Sequence, residues 1–383
     1  MDVDTIPDFL AEQRDAVPDD LQHYFLSFED FWERKLWHQL TNTLLDLFQE
    51  PESKPQRLDI YRKFVLSFAD KINQLHLVTL ALACAGCCKE PDDKERLTFL
   101  ETLKEQVNKP ASQDAYVYAS CSVAKARLGA GNFEEARKIL DESERILDNF
   151  DSVENIVHAW FYRVNAEYHQ AKLEFAPYYK SALLYLACID LDDLAKQERA
   201  RIAYDLSIAA LVSDSIYNFG ELLLHPILES LGNTPHAWLC DLLFAFNRGD
   251  LAAYDVLAGN ISKNRLLEEH KFFLYEKISL SALTETVFRR PPHDRTMSFS
   301  AISQETKVRP DEIEHLIMKA LSLGLLRGSI DEVSELARIN WVQPKVLDMK
   351  QIDSMRLRLK EWDSGVNQLG HWIEGVGKDV WAA

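Results

Sequence analysis

The chain has 383 residues, of which 47% are hydrophobic and 27% charged, an ordinary globular composition with enough length for two or three domains. Its 43 basic and 61 acidic side chains give a formal net charge of −18, which argues against non-specific nucleic-acid binding because that binding requires a cationic surface. The longest apolar stretch, residues 78–88, is shorter than the roughly 18 residues of a membrane span, and the acidic N-terminus lacks the basic and apolar regions of a signal peptide, so we expect a cytosolic protein.

Residues 19–275 predict one helix after another, because proline and glycine breaks separate apolar segments of about 15–25 residues. Two stretches, 126–136 and 246–251, resemble the turn between the helices of a tetratricopeptide repeat. In the first, glycines make the tight turn, and Phe133 and Ala136 pack the next helix against the previous one. The period of that repeat does not recur strictly. The sequence therefore predicts an irregular right-handed stack of helix pairs, whose extended surface suits protein partners better than small substrates.

Three of the cysteines, Cys84, Cys87 and Cys88, have the spacing of half a zinc site. A closed zinc site requires a second pair of ligands at comparable spacing, and the sequence has none. The surrounding residues are small and apolar, as on a buried helix face. We therefore expect small core thiols, with a metal or redox role as the alternative.

The pattern changes after Glu276, where helices become short and extended segments begin. The predicted elements are a helix to about Phe288, a strand at 296–299, a helix at 301–306, a helix from Pro310, and extended segments at 325–330 and 337–342 around a polar turn. This order of helix, strand, helix, helix and hairpin is that of a winged helix.

Many winged helices read DNA with the second of the two short helices. Here that helix begins Asp311-Glu312-Ile313-Glu314, so carboxylates would meet the phosphates. A winged helix that pairs with protein instead leaves its hairpin edge free to extend the sheet of a neighbour. We expect this second use, with partner-binding residues at the edge of the hairpin: Ile330, Ile339 and Trp341.

No catalytic constellation is complete in the sequence. No two histidines are two residues apart, and His-Glu-x-x-His and Gly-x-Ser-x-Gly are absent. The nearest approach to a phosphate-binding loop is 370–378. It fails at Val376, where the motif requires lysine after the second glycine, and it lies in a helical segment. His225 and Glu229 share a helical face, but Pro226 separates them and no third metal ligand is evident. We expect no enzyme, with no catalytic, cofactor or metal site.

The last 35 or so residues carry apolar side chains at alternating spacings of three and four, which is the heptad seam of a helix that packs on other helices. Asp348 can cap the start of this helix. Four glycines interrupt it, each costing about 1 kcal/mol relative to alanine, so the helix is poorly suited to stand alone. The sequence predicts one member of a larger bundle whose other members come from other chains; the alternative is a helix that folds back on its own domain. The partner-binding residues expected on the seam are Ile352, Met355, Leu359, Trp362, Val366, Leu369, Ile373 and Val376.

A stack of helix pairs, an acidic winged helix and a terminal helix together resemble the PCI module, which the proteasome lid, the signalosome and a translation initiation complex share. The resemblance is closer to the family of the ninth non-ATPase regulatory subunit of the 26S proteasome, and it covers about residue 30 to the end. The segments that are similar to that family are 35–40 (KLWHQL), 217–231 (YNFGELLLHPILESL), 318–333 (MKALSLGLLRGSIDEV) and 341–347 (WVQPKVL).

The resemblance implies a non-catalytic scaffold subunit of the proteasome lid, which acts in assembly of the regulatory particle and in ATP-dependent degradation of ubiquitinated proteins. In that family the winged helices associate side by side and the terminal helices gather in a bundle. The implied partners are other PCI subunits of the lid and a neighbouring ubiquitin receptor, in a hetero-oligomer without nucleic acid or membrane. The implied localisation is cytoplasmic and nuclear.

The implied fold is mostly α: a right-handed superhelical stack of helix pairs, then a winged helix, then a C-terminal bundle helix. The expected domains are an N-terminal helical-repeat domain at 1–177, a PCI domain at 178–347 with its winged helix at 292–347, and the bundle helix at 348–383. Two alternatives stay open. One is a PCI scaffold subunit of the signalosome or of a translation initiation complex, and the other is a winged-helix nucleic-acid adaptor.

Overall fold

The chain folds into two compact units, the first ending at Leu194 and the second beginning at Ala195. Helices dominate both units, and a three-stranded sheet lies in the second. The predicted fold class is therefore confirmed: a mostly α chain with packed helices, a winged helix and a terminal helix. The computed structural model describes residues 6–86, 93–150, 154–232, 234–291, 294–344 and 349–381.

The first unit is built from consecutive helices that pack on their neighbours in sequence, with α7 between α8 and α9, and α10 on α9. Its described helices are α1 (Ile6–Ala16), α2 (Asp19–Glu33), α3 (Trp37–Gln49), α4 (Arg57–Lys63), α5 (Gln74–Ala85), α6 (Asp93–Val107), α7 (Gln113–Gly129), α8 (Phe133–Leu147), α9 (Asn155–Ala171) and α10 (Phe175–Ala187). Short 3₁₀ helices occupy Pro51–Ser53, Val65–Lys71 and Leu191–Asp193.

The turn between α7 and α8 has the features that the sequence predicted. Gly131 follows the end of α7 with φ of 82°, in the left-handed region that favours glycine. Ala136 is fully buried, and Phe133 packs against the same core while remaining partly exposed. The glycine turn thus places α8 directly on α7, as in a tetratricopeptide-like hairpin.

Two cysteines of the first unit are core residues. The Sγ of Cys84 donates to the carbonyl oxygen of Arg57 at 3.4 Å, and both Cys84 and Cys121 have no exposed surface. Burial raises the pKa of the Cys121 thiol to about 12, so this thiol stays protonated and unreactive. The core role predicted for Cys84 is confirmed, while Cys87 and Cys88 lie outside the described residues.

The second unit begins with a helical part and ends with the winged helix and a terminal helix. Its helical part contains α11 (Lys196–Val212), α12 (Gly220–Leu224), a 3₁₀ helix (Pro226–Leu231), α13 (Trp238–Arg248), α14 (Leu251–Ile261), α15 (Arg265–Glu269) and α16 (Lys271–Arg289). The winged helix contains β1 (Thr296–Ser298), α17 (Phe299–Thr306), α18 (Pro310–Ser322), β2 (Leu326–Asp331) and β3 (Leu336–Val342), and α19 (Met349–Trp381) follows.

Helix α16 joins the helical part to the winged helix. Leu280, Leu283 and Val287 on its second half belong to the winged-helix core, and Lys319 of α18 forms an ion pair with Glu276 of α16. The same core contains Tyr217, which precedes α12. The winged helix therefore packs on α16 rather than hanging from a free linker.

At Gly249 the backbone of the turn after α13 lies directly against α16. It ends α13 with φ of 65°, and a Cβ atom at this position would lie 2.5 Å from the Cα of Ala282. Asp250 then caps α14, because its carboxylate accepts from the amides of Ala252 and Ala253 at 3.0 and 3.1 Å. This is the second repeat-like turn that the sequence predicted, and glycine is required there by both φ and space.

A buried lysine ties α16 to the end of α11. The Nζ of Lys277 donates to the carbonyl oxygens of Ala210, Leu211 and Ser213 at 2.8, 3.1 and 2.5 Å, and the residue has no exposed surface. These carbonyls stand at the C-terminus of α11, where the last carbonyl oxygens have no N–H donor within the helix and carry a partial negative charge. In its protonated form Lys277 supplies three donors to these three carbonyls.

Lys277 gives the second unit a defined pH dependence. Burial lowers the pKa of Lys277 from its ordinary 10.5 to about 7, with Asp214 acting in the opposite direction. Between these two values the unfolded chain binds the proton that the folded chain has lost, so the free energy of unfolding rises with pH. The gain is at most about 1.4 kcal/mol per pH unit.

We expect the difference in unfolding free energy between the wild-type chain and Lys277→Met to grow from about pH 7 to about pH 9 in favour of the wild type. The methionine keeps the apolar stem and removes the titrating group, so it is the matched reference. Urea denaturation at each pH measures both chains. Parallel pH dependence would show that the three carbonyls keep the lysine protonated, contrary to the expectation.

The sheet of the winged helix has the strand order β1-β3-β2, with both pairs antiparallel. One face of it packs on α16 to α18 through Met297, Ala337 and Ile339, all buried. A bulge between Arg327 and Gly328 changes the register of β2 against β3. The hairpin therefore twists over a single apolar core, and its other face is left to solvent.

Candidate interaction surfaces

Helix α19 leaves its apolar seam in solvent. The helix has 33 residues, and every side chain described between 352 and 375 is exposed. The seam residues are 46% to 68% exposed, values typical of surface side chains rather than of a core. They are Ile352, Met355, Leu359, Trp362, Val366, Leu369 and Ile373. In the described part of the chain, α19 therefore does not fold back on its own domain, which was the alternative to a partner-bound helix.

Two predicted features of α19 fall outside what the structure describes. The proposed cap, Asp348, precedes the helix start at Met349 and lies outside the described residues, and so does the side chain of Val376. The prediction that the seam binds partner helices stays a prediction.

The apolar surface of α19 is wider than the seam. Trp372 is 63% exposed and does not occupy a seam position. Trp372 lies three residues after Leu369, so the two side chains are neighbours on the helix surface. The spacing rule that found the seam discards such flanking residues, although a contiguous apolar patch of this kind marks a binding surface.

Three glycines of α19 have no packing role in the described part of the chain. A Cβ atom added at Gly365, Gly370 or Gly375 would meet no described atom within 4 Å. Alanine would therefore fit at each position and favour the helix by about 1 kcal/mol. These glycines weaken the helix of the free chain without any local compensation.

The predicted edge of the winged helix needs a correction. Because β3 is the central strand, Ile339 and Trp341 do not lie at an edge of the sheet, and the prediction is wrong for their position. Ile339 is 4% exposed and belongs to the core, while Ile330 lies on the edge strand β2 and packs partly on the same core. The alternation of residues predicted the hairpin, but it could not show that β1 pairs with the far side of β3.

The outward face of the sheet carries a cation that sequence reasoning missed. Arg327 and Trp341 are cross-strand partners, and the guanidinium of Arg327 lies 4.6 Å from the centre of the Trp341 ring system. Trp341 is half-buried beneath it, and Arg338 is exposed on the same face. The signal that could have found this pair is the cross-strand register, which the sequence leaves open until the bulge is known.

The acidic start of α18 lies in solvent, as the sequence indicated. Asp311 and Glu312 are exposed, and Arg309 forms an ion pair with Glu312 at 2.5 Å. The end of α18 that would enter a DNA groove therefore offers carboxylates to phosphates.

The described residues show no group of three or more His, Cys, Asp or Glu side chains arranged to bind a metal ion. His225 is used locally, since its Nδ1 accepts from the amide of Ile227 at 3.2 Å and caps the 3₁₀ helix that follows.

A groove of about 310 Å³ between α4 and α6 is lined by Tyr61, Leu66 and Phe99, with Arg62 and Glu95 as its charged residues. None of the helices in the described ranges is long and apolar enough to cross a membrane.

Comparison with known proteins covers both units and α19. Family profiles match residues 24–243 (PSD13 N-terminal repeats), 251–341 (PCI domain) and 345–377 (Rpn9 C-terminal helix). The predicted domain boundaries at 177 and 347 stay predictions.

Two relatives are similar over nearly their whole length. The chain is 43% identical over 373 residues to the probable 26S proteasome regulatory subunit rpn9 of Schizosaccharomyces pombe, with 97% of each chain covered. It is 37% identical over 364 residues to the 26S proteasome non-ATPase regulatory subunit 13 of Dictyostelium discoideum, with 93% of each covered. A more distant similarity, 24% over 186 residues, relates 48% of the chain to 67% of the COP9 signalosome complex subunit 7 of Dictyostelium discoideum.

Proposed function

Because this chain belongs to the PSD13/Rpn9 family of 26S proteasome regulatory subunits, we propose that it is a non-catalytic scaffold of the proteasome lid. In this proposal it acts in assembly of the regulatory particle and so in ATP-dependent degradation of ubiquitinated proteins, in cytoplasm and nucleus. Its partners are other PCI subunits of the lid and a neighbouring ubiquitin receptor. It binds them by surfaces and performs no reaction of its own.

The observation that carries this proposal is the exposed seam of α19. Seven large apolar side chains on one face of a helix are a costly surface to leave in water, since burying each contributes roughly 1.5–3 kcal/mol. Leu359 and Trp362, at 61% and 68% exposure, lie near the middle of that face. A helix bundle shared with other subunits covers such a seam by inserting each side chain between residues of the facing helices.

The second surface in the proposal is the winged helix. No described strand pairs with the edge strand β2 on the side away from β3, so a neighbouring winged helix can extend the sheet there. Ile330 is the predicted residue that lies on this strand. The proposal thus assigns α19 to the bundle and β2 to side-by-side pairing.

A signalosome subunit is the second candidate, because half of the chain is similar to a signalosome protein. Native mass spectrometry of the complex purified through a tag on this chain separates the two. We expect the masses of proteasome lid subunits. A complex made of signalosome subunits instead would overturn the proposal in favour of the second candidate.

A pair of leucines on α19 tests the role of the seam. Leu359 lies on the seam and Leu357 lies off it, with 61% and 50% exposure, and both are on the same two turns of helix. Replacing a leucine that becomes buried costs about 2–5 kcal/mol, whereas replacing one that stays exposed changes little.

We therefore expect Leu359→Ala to weaken incorporation into the lid while Leu357→Ala leaves it nearly unchanged. Quantitative native mass spectrometry of lids assembled from co-expressed subunits gives the fraction that contains each variant. Equal effects of the two substitutions would mean that the seam is not the binding face.

A further inference from the structure

We propose that the outward face of the winged-helix sheet binds a carboxylate-rich segment of a neighbouring protein subunit, with Arg327 and Arg338 as the recognising cations. This inference rests on the proposed function, since it assumes that the winged helix meets other subunits. The pairing described above uses the main-chain edge of β2 and no side-chain charge. The sheet face is therefore a second surface, and it recognises its partner by charge.

The geometry of this face is set by the strand register. Arg327 opposes Trp341, and Arg338 opposes both Ser329 on β2 and Thr296 on β1. Their side chains therefore point away from the core that the alternating buried residues of the same strands form. The two arginines stand on neighbouring strands of one surface, with small polar side chains beside them.

Arg327 is pre-organised for recognition. Its guanidinium lies 4.6 Å from the centre of the half-buried Trp341 side chain, an arrangement in which the ring holds the charge in place and leaves its N–H groups at the edge free to donate. A planar guanidinium held in this way can give two parallel hydrogen bonds to one carboxylate. Less side-chain freedom is lost on binding than for an arginine that moves freely in solvent.

Neither arginine forms an ion pair with a described residue. Among the described residues, no carboxylate lies within ion-pairing distance of Arg327 or Arg338, although ion pairs are frequent elsewhere on the surface. Asp331 interacts electrostatically with Arg338, and its carboxylate also accepts from the amide of Ser334 at the hairpin turn, at 3.1 Å. With two arginines against this one carboxylate, the face has a local excess of positive charge on a chain of net charge −18.

The charge pattern favours an acidic protein segment over nucleic acid. Proteins that bind a DNA duplex through its backbone typically neutralise several phosphates, and two arginines on a short sheet offer few contacts. Within the same winged helix, the start of α18 presents Asp311 and Glu312, which would repel a long polyanion. A short segment with a few carboxylates requires only the two cations and the polar side chains between them.

The test measures association with the lid subunits that are co-expressed without this chain, as a function of salt. We expect Arg327→Ala and Arg338→Ala each to weaken association about tenfold at low salt, with a smaller difference at high salt, since screening removes the charge contribution from the wild type. Arg327→Lys should recover only part of the loss, because lysine neither stacks on Trp341 nor donates two parallel bonds.

Arg248→Ala is the matched control. Arg248 is also exposed and lies over an aromatic ring, that of Phe244 at 5.7 Å, but it belongs to α13. It should leave association unchanged. If it weakens association as much as Arg327→Ala does, or if neither sheet-face variant has an effect, the assignment of this face is overturned.

Two further measurements separate the possible failures. If Leu359→Ala blocks incorporation while the arginine variants assemble like the wild type at every salt concentration, the scaffold function stands and the sheet-face proposal fails. A short mixed-sequence DNA duplex is the second probe, measured by fluorescence anisotropy with the full chain. Binding of that duplex at physiological salt, lost in Arg327→Ala, would assign the face to nucleic acid and overturn the proposal.

Discussion

Truncation after Leu347 is expected to leave a folded chain that no longer enters the proteasome lid. The described side chains between 352 and 375 are all exposed and belong to no core, so their removal takes no core contact from the rest of the second unit. We expect the free energy of unfolding of the truncated chain to stay within about 0.5 kcal/mol of the full chain, as for surface changes in general.

Incorporation should fail because the truncation removes the whole apolar seam. Each seam residue that a bundle buries contributes roughly 1.5–3 kcal/mol. Without them, the remaining interfaces must offset the whole free-energy cost of association. Native mass spectrometry of lids assembled from co-expressed subunits measures the loss, and urea denaturation of the free chain is its control. A truncated chain that assembles at the wild-type level would show that the winged helix alone holds the subunit.

Gly249→Ala is expected to destabilise the second unit by about 3–5 kcal/mol. Alanine at φ of 65° is strained, and its Cβ would lie 2.5 Å from the Cα and 2.6 Å from the backbone nitrogen of Ala282. Both neighbours are backbone atoms of α16, so relief requires the turn and the helix to separate. Since α16 carries part of the winged-helix core through Leu280 and Leu283, we expect the loss to reach the winged helix as well.

Gly259→Ala is the matched control for this substitution. Gly259 lies within α14, the helix that follows the same turn, and a Cβ there meets nothing within 4 Å. Alanine should be neutral or stabilise α14 by up to about 1 kcal/mol. Urea denaturation followed by circular dichroism gives both values. A Gly249→Ala chain as stable as Gly259→Ala would contradict the close contact between the turn and α16.

The helical architecture could be predicted from the sequence because its signals are local. Glycine turns such as the one at Gly131, and apolar residues at helical spacing such as Ile313, Leu316 and Ile317, depend on neighbours along the chain. Lys277 shows the limit of such reasoning. Its three acceptors lie more than 60 residues away, so nothing near it in sequence indicates that it is buried.

Of the two candidate surfaces, one follows from local sequence signals and the other depends on contacts between distant parts of the chain. The seam of α19 follows from spacing within one helix, and its exposure in the structure agrees with a helix that awaits partners. The winged-helix face depends on strand order and on the bulge between Arg327 and Gly328, both of which are tertiary features. For that reason the sequence placed Ile339 at an edge, and it gave no reason to connect Arg327 with Trp341.

We expect α19 to become fully ordered only when other subunits cover its seam. Most helical stability in proteins comes from tertiary packing, and α19 has Gly365, Gly370 and Gly375 with no packing to compensate for them. Hydrogen exchange of the amides from 352 to 375, compared between the free chain and the assembled lid, measures this directly. We expect rapid exchange in the free chain and strong protection in the lid. Strong protection already present in the free chain, or rapid exchange in both, would contradict the coupling of helix formation to assembly.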